Sequence, residues 1–206
     1  MAELVGYCSR TGTRSTLAAL RKAQWGLLVS ATGHHLNHDF KLWAIDNGAW
    51  TAYQSGTEWQ PAPFLKLCDK LGEGAQWVVV PDIVEGGLTS LDLSLKWLPK
   101  LKGVARHRLL AVQDGMRPEH IRPHLSRSVG IFVGGSTEWK IKTLYQWGTL
   151  AREAQCYLHI GRVNTIKRIN LCQDAGAHSF DGTSISRFPS TLRLLNNGVK
   201  QQHLFR

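Results

Sequence analysis

Cysteine is scarce and scattered in this chain. Cys8, Cys68, Cys156 and Cys172 stand far apart with no Cys-x-x-Cys pair, which excludes a closely spaced thiolate zinc knuckle and a dense disulfide framework. They read as buried free thiols in a reducing compartment. Long apolar runs are absent too: nothing approaches the roughly 20 residues of a membrane helix. The first residues also lack the basic segment and apolar core of a signal peptide. A cytoplasmic location is therefore expected, with no membrane partner. Acidic residues are in short supply, 15 against 25 Lys and Arg, leaving a net charge of +10. That excess implies a polyanionic partner, most simply nucleic acid. No linker, low-complexity stretch or charge run divides the 206 residues, so one domain over 1–206 is expected.

What is present is a recurring pattern. Short apolar runs end in residues capable of chemistry: Leu42 to Ile45 before Asp46, Trp77 to Pro81 before Asp82, and Leu109 to Val112 before Gln113. Gly130 to Val133 precede Gly134 and Gly135, and His178 to Phe180 precede Asp181. Runs of this length alternating with helical periodicity read as buried parallel strands. Eight are expected: Leu4–Ser9, Gly26–Ala31, Leu42–Ile45, Gln76–Val80, Leu109–Val112, Gly130–Val133, Cys156–Ile160 and Ala177–Phe180. Helical patterns cover Thr13–Gln24, Pro63–Leu71, Leu88–Leu101, Pro118–Leu125, Glu138–Ala154, Thr165–Ala175 and Ser190–Asn196, with Gly176 as a C-terminal cap. His34–Asp39 and Asn47–Gln60 read as loops. The pattern predicts a compact (β/α)8 TIM-type barrel whose second repeat is degenerate; an open doubly wound sheet is the alternative. In either fold, residues that follow strands gather at one face, as an enzyme's site would.

Four segments carry a resemblance. Ile45 to Trp50 (Ile-Asp-Asn-Gly-Ala-Trp) resembles the Asp-Ser-Gly-Gly-Phe segment of tRNA-guanine transglycosylases, and Ala111 to Gly115 resembles their Val-Gln-Gly-Gly segment. Val133 to Gly135 resembles their Ile-Gly-Gly-Leu. Ser179 to Arg187 resembles their Phe-Asp-Cys-Val-x-Pro-Thr-Arg, with the same six-residue step from Asp to Arg. The order of all four is kept. Phe132 to Lys140, His159 to Asn164 and Ser179 to Pro189 are similar to the short branch acting on DNA, the deoxypurine-in-DNA protein A family of DNA-guanine transglycosylases. No cysteine follows Asp181, so the zinc subdomain of the tRNA enzymes is expected to be missing. Asn47 stands where those enzymes have Ser.

The resemblance implies an enzyme, a pentosyltransferase exchanging guanine in DNA for a 7-deazaguanine such as preQ0, with no cofactor and no metal. Its partners would be DNA, guanine and the free 7-deazaguanine base; the tRNA enzymes often dimerise through regions this chain lacks, so a monomer is expected. The alternatives are a tRNA-directed transglycosylase, a glycosidase that hydrolyses, or a non-catalytic nucleic-acid-binding subunit. Asp181 would attack the sugar carbon and Asp46 would move protons, the division of labour of retaining glycosidases. Asp82, Gln113, Asn47, Gly134, Gly135, His159 and Gly161 would hold the base, glycine permitting close backbone approach. Arg117, Lys140, Arg162 and Arg187 would hold phosphates. Trp50, Tyr53 and Trp59 would stack on an extruded base or close the mouth. The bland readings are helix caps for the aspartates, a satisfied loop for Gln113, a tight turn for the glycine pair and a structural role for His159. His34, His35 and His38 lack the partners of a metal site and read as a polar loop.

Overall fold

The computed structural model describes residues 3–9, 13–31, 40–187 and 190–201. Eight parallel strands close on themselves in chain order. They are β1 (Val5–Ser9), β2 (Gly26–Val29), β3 (Trp43–Ile45), β4 (Trp77–Val79), β5 (His107–Val112), β6 (Val129–Val133), β7 (Leu158–Ile160) and β8 (Ser179–Gly182). The ring is sealed where β8 pairs with β1, Tyr7 opposite Asp181. This is the expected (β/α)8 barrel, and the open-sheet alternative falls away.

Alternation along each strand sorts the side chains. Tyr7, Leu28, Ala44, Trp77, Val79, Leu109 and Ala111 form the interior core, with Phe132 packed against it. Their strand neighbours Leu27, Val29, Ile131, Val133, Leu158, Ile160 and Phe180 pack outward beneath the helices. A successive-residue flip of this kind is what a pleated strand imposes. The interior is unusually aromatic for so narrow a barrel. Tyr7 meets Trp77 edge-on at 5.2 Å, and His159 stacks on Phe132 at 4.9 Å. Gly26 makes room for this: a Cβ there would stand 2.4 Å from the Tyr7 ring.

The helices are α1 (Arg14–Lys22), α2 (Ala49–Gln54), α3 (Pro61–Leu71), α4 (Gly87–Trp97), α5 (Pro118–Ile121), α6 (Thr137–Glu153), α7 (Ile166–Asp174), α8 (Ser184–Arg187) and α9 (Thr191–Gln201). Between β2 and β3 no helix lies among the described residues, in keeping with a degenerate second repeat. Prolines explain two shortened helices. The fourth and fifth end early and continue as 3-10 turns at Leu98–Leu101 and Arg122–His124, each with Pro at its second position. The segment 47–60, expected as a loop, contains α2. Asn47 Oδ1 accepts the Ala49 N–H at 2.8 Å, and Gly48 takes the left-handed conformation at φ 81°. A one-turn helix capped in this way lies below what hydrophobic periodicity registers. Gly176, at φ 76°, follows α7 as expected. No helix of the described residues is long and apolar enough to cross a membrane.

Candidate active site

Parallel closure brings the strand ends to one mouth. Asp46 follows β3, Asp82 follows β4, Gln113 follows β5, Gly134 follows β6, Gly161 follows β7, and Asp181 lies within β8. The three aspartates converge closely enough for their charges to interact. Asp46 is pushed up to about 7, first by burial, then by the negative charges of Asp181 and Asp82. The backbone N–H groups of Gly48 and Asn47 oppose that rise without cancelling it. At neutral pH Asp46 therefore exchanges a proton readily.

Asp82 is raised to about 6, by burial. Its two oxygens are held: Asn47 Nδ2 donates to Oδ1 at 2.7 Å and Gln113 Nε2 to Oδ2 at 3.0 Å. Asn47 Nδ2 also donates to Val80 O at 3.0 Å, and Gln113 Nε2 lies 2.7 Å from Ile83 O and 2.9 Å from Ser90 Oγ. Asn47 and Gln113 are both buried. Their amide nitrogens face protein, and both hold Asp82 in place.

Asp181 is only 5% exposed. Its Oδ1 accepts the Arg162 N–H at 3.2 Å and its Oδ2 lies 3.0 Å from His159 Nε2. His159, expected to line a base pocket, is fully buried beneath Asp181, with Nδ1 2.7 Å from Ser179 Oγ. Burial depresses His159 below the ordinary histidine range, against the opposing pull of Asp181. A neutral imidazole under a carboxylate is the result.

The cations expected on phosphates divide. Arg162 takes a positive φ of 58°, uncommon for a side-chain-bearing residue. That backbone aims its N–H at Asp181 while its guanidinium donates to Gly135 O and lies 4.5 Å over the Trp50 ring. Trp50 stacks in turn on Tyr53, both exposed. Lys140 is buried, contrary to a surface phosphate role: its Nζ donates to Gly161 O at 2.5 Å, and burial holds it down at about 8. Arg117 is exposed and pairs with Glu119 at 2.8 Å. The side chain of Arg187, and His34, His35 and His38, lie outside the described residues. Trp59 packs on Phe64 and Trp97 and donates to Asn47 O at 2.8 Å, which makes it a support for the β3 loop.

Asp114 is a site residue that sequence reasoning missed. It accepts from Ser136 N and Ser136 Oγ, each at 2.6 Å, and so ties the β5 loop to the start of α6 behind Gly135. Its place directly after Gln113 was the available signal. Among the described residues no group of three or more His, Cys, Asp or Glu is placed to hold a metal ion.

No family model matches the chain, and no curated protein matches it. Solved structures do. A chain from Coccidioides immitis described as a fructose-1,6-biphosphate aldolase superposes with TM-score 0.60 at 10% identity, over 97% of this chain and 84% of that one. The tryptophan synthase subunit alpha of Campylobacter jejuni gives 0.55 at 11%, over 97% and 94%. An HpcH/HpaI aldolase from Desulfitobacterium hafniense gives 0.52 at 9%, over 99% and 94%. At such identities the likeness establishes the fold. These neighbours are aldolase and synthase barrels, and with no family model in support they overturn the resemblance to guanine transglycosylases and the base-exchange activity read from it. The physical reason lies in the motifs. Each is an aspartate, a glutamine or a glycine pair following a strand, which the mouth of a parallel barrel favours whatever its reaction.

Proposed function

We propose that the protein is an acid–base enzyme, a lyase of aldol type acting on a small anionic substrate at the barrel mouth. One observation carries the reading: Asp46 is driven to about 7 by burial and by its neighbours Asp181 and Asp82, which suits it to take and return a proton at neutral pH. In the cleavage direction the Asp46 carboxylate removes a proton from a substrate hydroxyl. That carbon becomes a carbonyl as the adjacent carbon–carbon bond breaks. The electron pair is left on the departing carbon, delocalised by the substrate's own carbonyl, and Asp46 returns the proton there. Asp181, fixed by two donors, supplies a stationary charge that repels the electrons of an ionised Asp46 and so keeps it basic. The net charge of +10 favours an anionic substrate, and Arg162, whose N–H reaches Asp181, places a cation at the mouth. Two of the similar barrels are aldolases by name.

The test is carbonyl release from a panel of hydroxy-acid and sugar-phosphate aldol substrates, for the protein and for Asp46→Asn. Turnover should rise with pH through a limb near 7, and Asp46→Asn should lose it by about 100-fold or more. Turnover unchanged in Asp46→Asn would overturn the assignment. A second reading, hydrolysis of a glycosidic bond, is favoured by the pairing of a proton-holding Asp46 with an immobilised Asp181, since such enzymes divide acid and charge between two carboxylates. The products distinguish the two, because hydrolysis breaks a carbon–oxygen bond and keeps both carbon skeletons whole, whereas aldol cleavage breaks a carbon–carbon bond.

A further inference from the structure

Directly below Asp181 a row of polar side chains crosses the barrel interior. Tyr157 precedes β7, at the end of the barrel opposite the mouth, with its ring stacked between His107 at 4.9 Å and His178 at 4.8 Å. Its hydroxyl lies 2.9 Å from Ser179 Oγ, which lies 2.7 Å from His159 Nδ1, while His159 Nε2 lies 3.0 Å from Asp181 Oδ2. Ser179 and His159 are fully buried. A polar row costs stability in such a place unless every member is satisfied.

The direction of each bond follows by elimination. The groups facing His159 are Asp181, Ser179 and the rings of Tyr7, Trp77 and Phe132, with the charge of Lys140 acting from further off. Burial disfavours an imidazolium, so the ring carries one proton. Asp181 already accepts from the Arg162 N–H and presents its other oxygen to Nε2, so the proton sits on Nε2. Nδ1 is then bare and takes the Ser179 hydroxyl hydrogen. The Ser179 oxygen in turn takes the hydrogen of Tyr157, a phenol that burial keeps protonated. Every donor in the row points toward the mouth.

We propose that Tyr157 and Ser179 are positioning residues that lock His159 as its Nε2–H tautomer, making the ring a fixed donor that orients Asp181 and preserves its charge. The assignment rests on the reading of Asp181 as the charged partner of Asp46. It gives a purpose to a histidine that touches no solvent, since an unlocked ring could turn its bare nitrogen toward the carboxylate and repel it.

Nitrogen-15 NMR of histidine-labelled protein tests the lock without a substrate. His159 is identified by the resonances lost in His159→Gln. The expected spectrum at neutral pH has Nε2 protonated and Nδ1 bare, with no titration between about pH 5 and 8. Ser179→Ala removes the donor to Nδ1 and should mix the tautomers. Tyr157→Phe should shift the ring signals the same way by less, and thermal melts establish that each variant is folded. An Nδ1-protonated or doubly protonated His159 in the parent protein overturns the proposal. So does a folded Ser179→Ala with an unchanged tautomer. Because the aldol assay addresses Asp46 and this one addresses the ring, failure of either leaves the other result legible.

Discussion

Asp46 links the chemistry of the mouth to the stability of the chain. Its carboxyl rises from an ordinary 3.8 in the unfolded chain to about 7 in the fold. A raised acid binds its proton more tightly when folded. The folded state is therefore favoured most below the unfolded value, and that advantage is lost as pH climbs from 3.8 through 7. Asp46→Asn abolishes this dependence. Chemical denaturation should show the variant more stable than the parent at pH 8, on the order of 2 kcal/mol, and nearly equal at pH 4. A variant less stable at pH 8 would mean that its hydrogen bonds from Gly48 and Asn47 outweigh the crowding of charge. Such exchange of stability for a reactive group is common at functional sites.

At the scale of elements, what the sequence discloses depends on how local the cause is. All eight strands were legible because each carries a short, mostly apolar run, although Asp181, expected after the last strand, lies inside it, and the longer helices because their periodicity spans several turns. The short α2 was not, since a single capped turn has no period. Asp46, Asp82 and Asp181 were legible as strand-end acids. The service of Asn47 and Gln113 to Asp82, and of His159 to Asp181, was not, because it joins residues 35, 31 and 22 positions apart through contacts that only the pairing of neighbouring parallel strands creates. Lys140 misled for a similar reason: as a cation among the strand-end residues it reads as a phosphate contact, yet it is buried against Gly161. The packing of α6 on α7 offers a test at this scale. A Cβ on Gly148 would stand 2.2 Å from Ala175 O, a backbone atom that cannot easily withdraw. Gly148→Ala should therefore lose about 1–3 kcal/mol in urea unfolding, although alanine is the better helix former. A neutral or stabilised variant would show that the two helices can separate freely.

For the molecule as a whole, the decisive feature is that the strand ring closes between its first and last members, Val5 to Cys8 against Ser179 to Gly182. Such a pairing joins segments at the greatest separation in sequence, so it is entropically the costliest contact and the slowest to form. During synthesis it is also the last available. A chain on the ribosome that has reached only β7 holds two raw edges, on β1 and β7, with hydrogen-bonding groups ready for any passing strand. It also lacks Asp181, because the neighbour of Asp46 at the mouth is carried by the strand that shuts the ring. Chains stalled before residue 179 should thus be readily cut by protease and prone to cluster, while chains extended past α9 should resist. Completion of the mouth and disappearance of the sticky edges would then be a single event, so that no chain presents a finished mouth while its edges are still open.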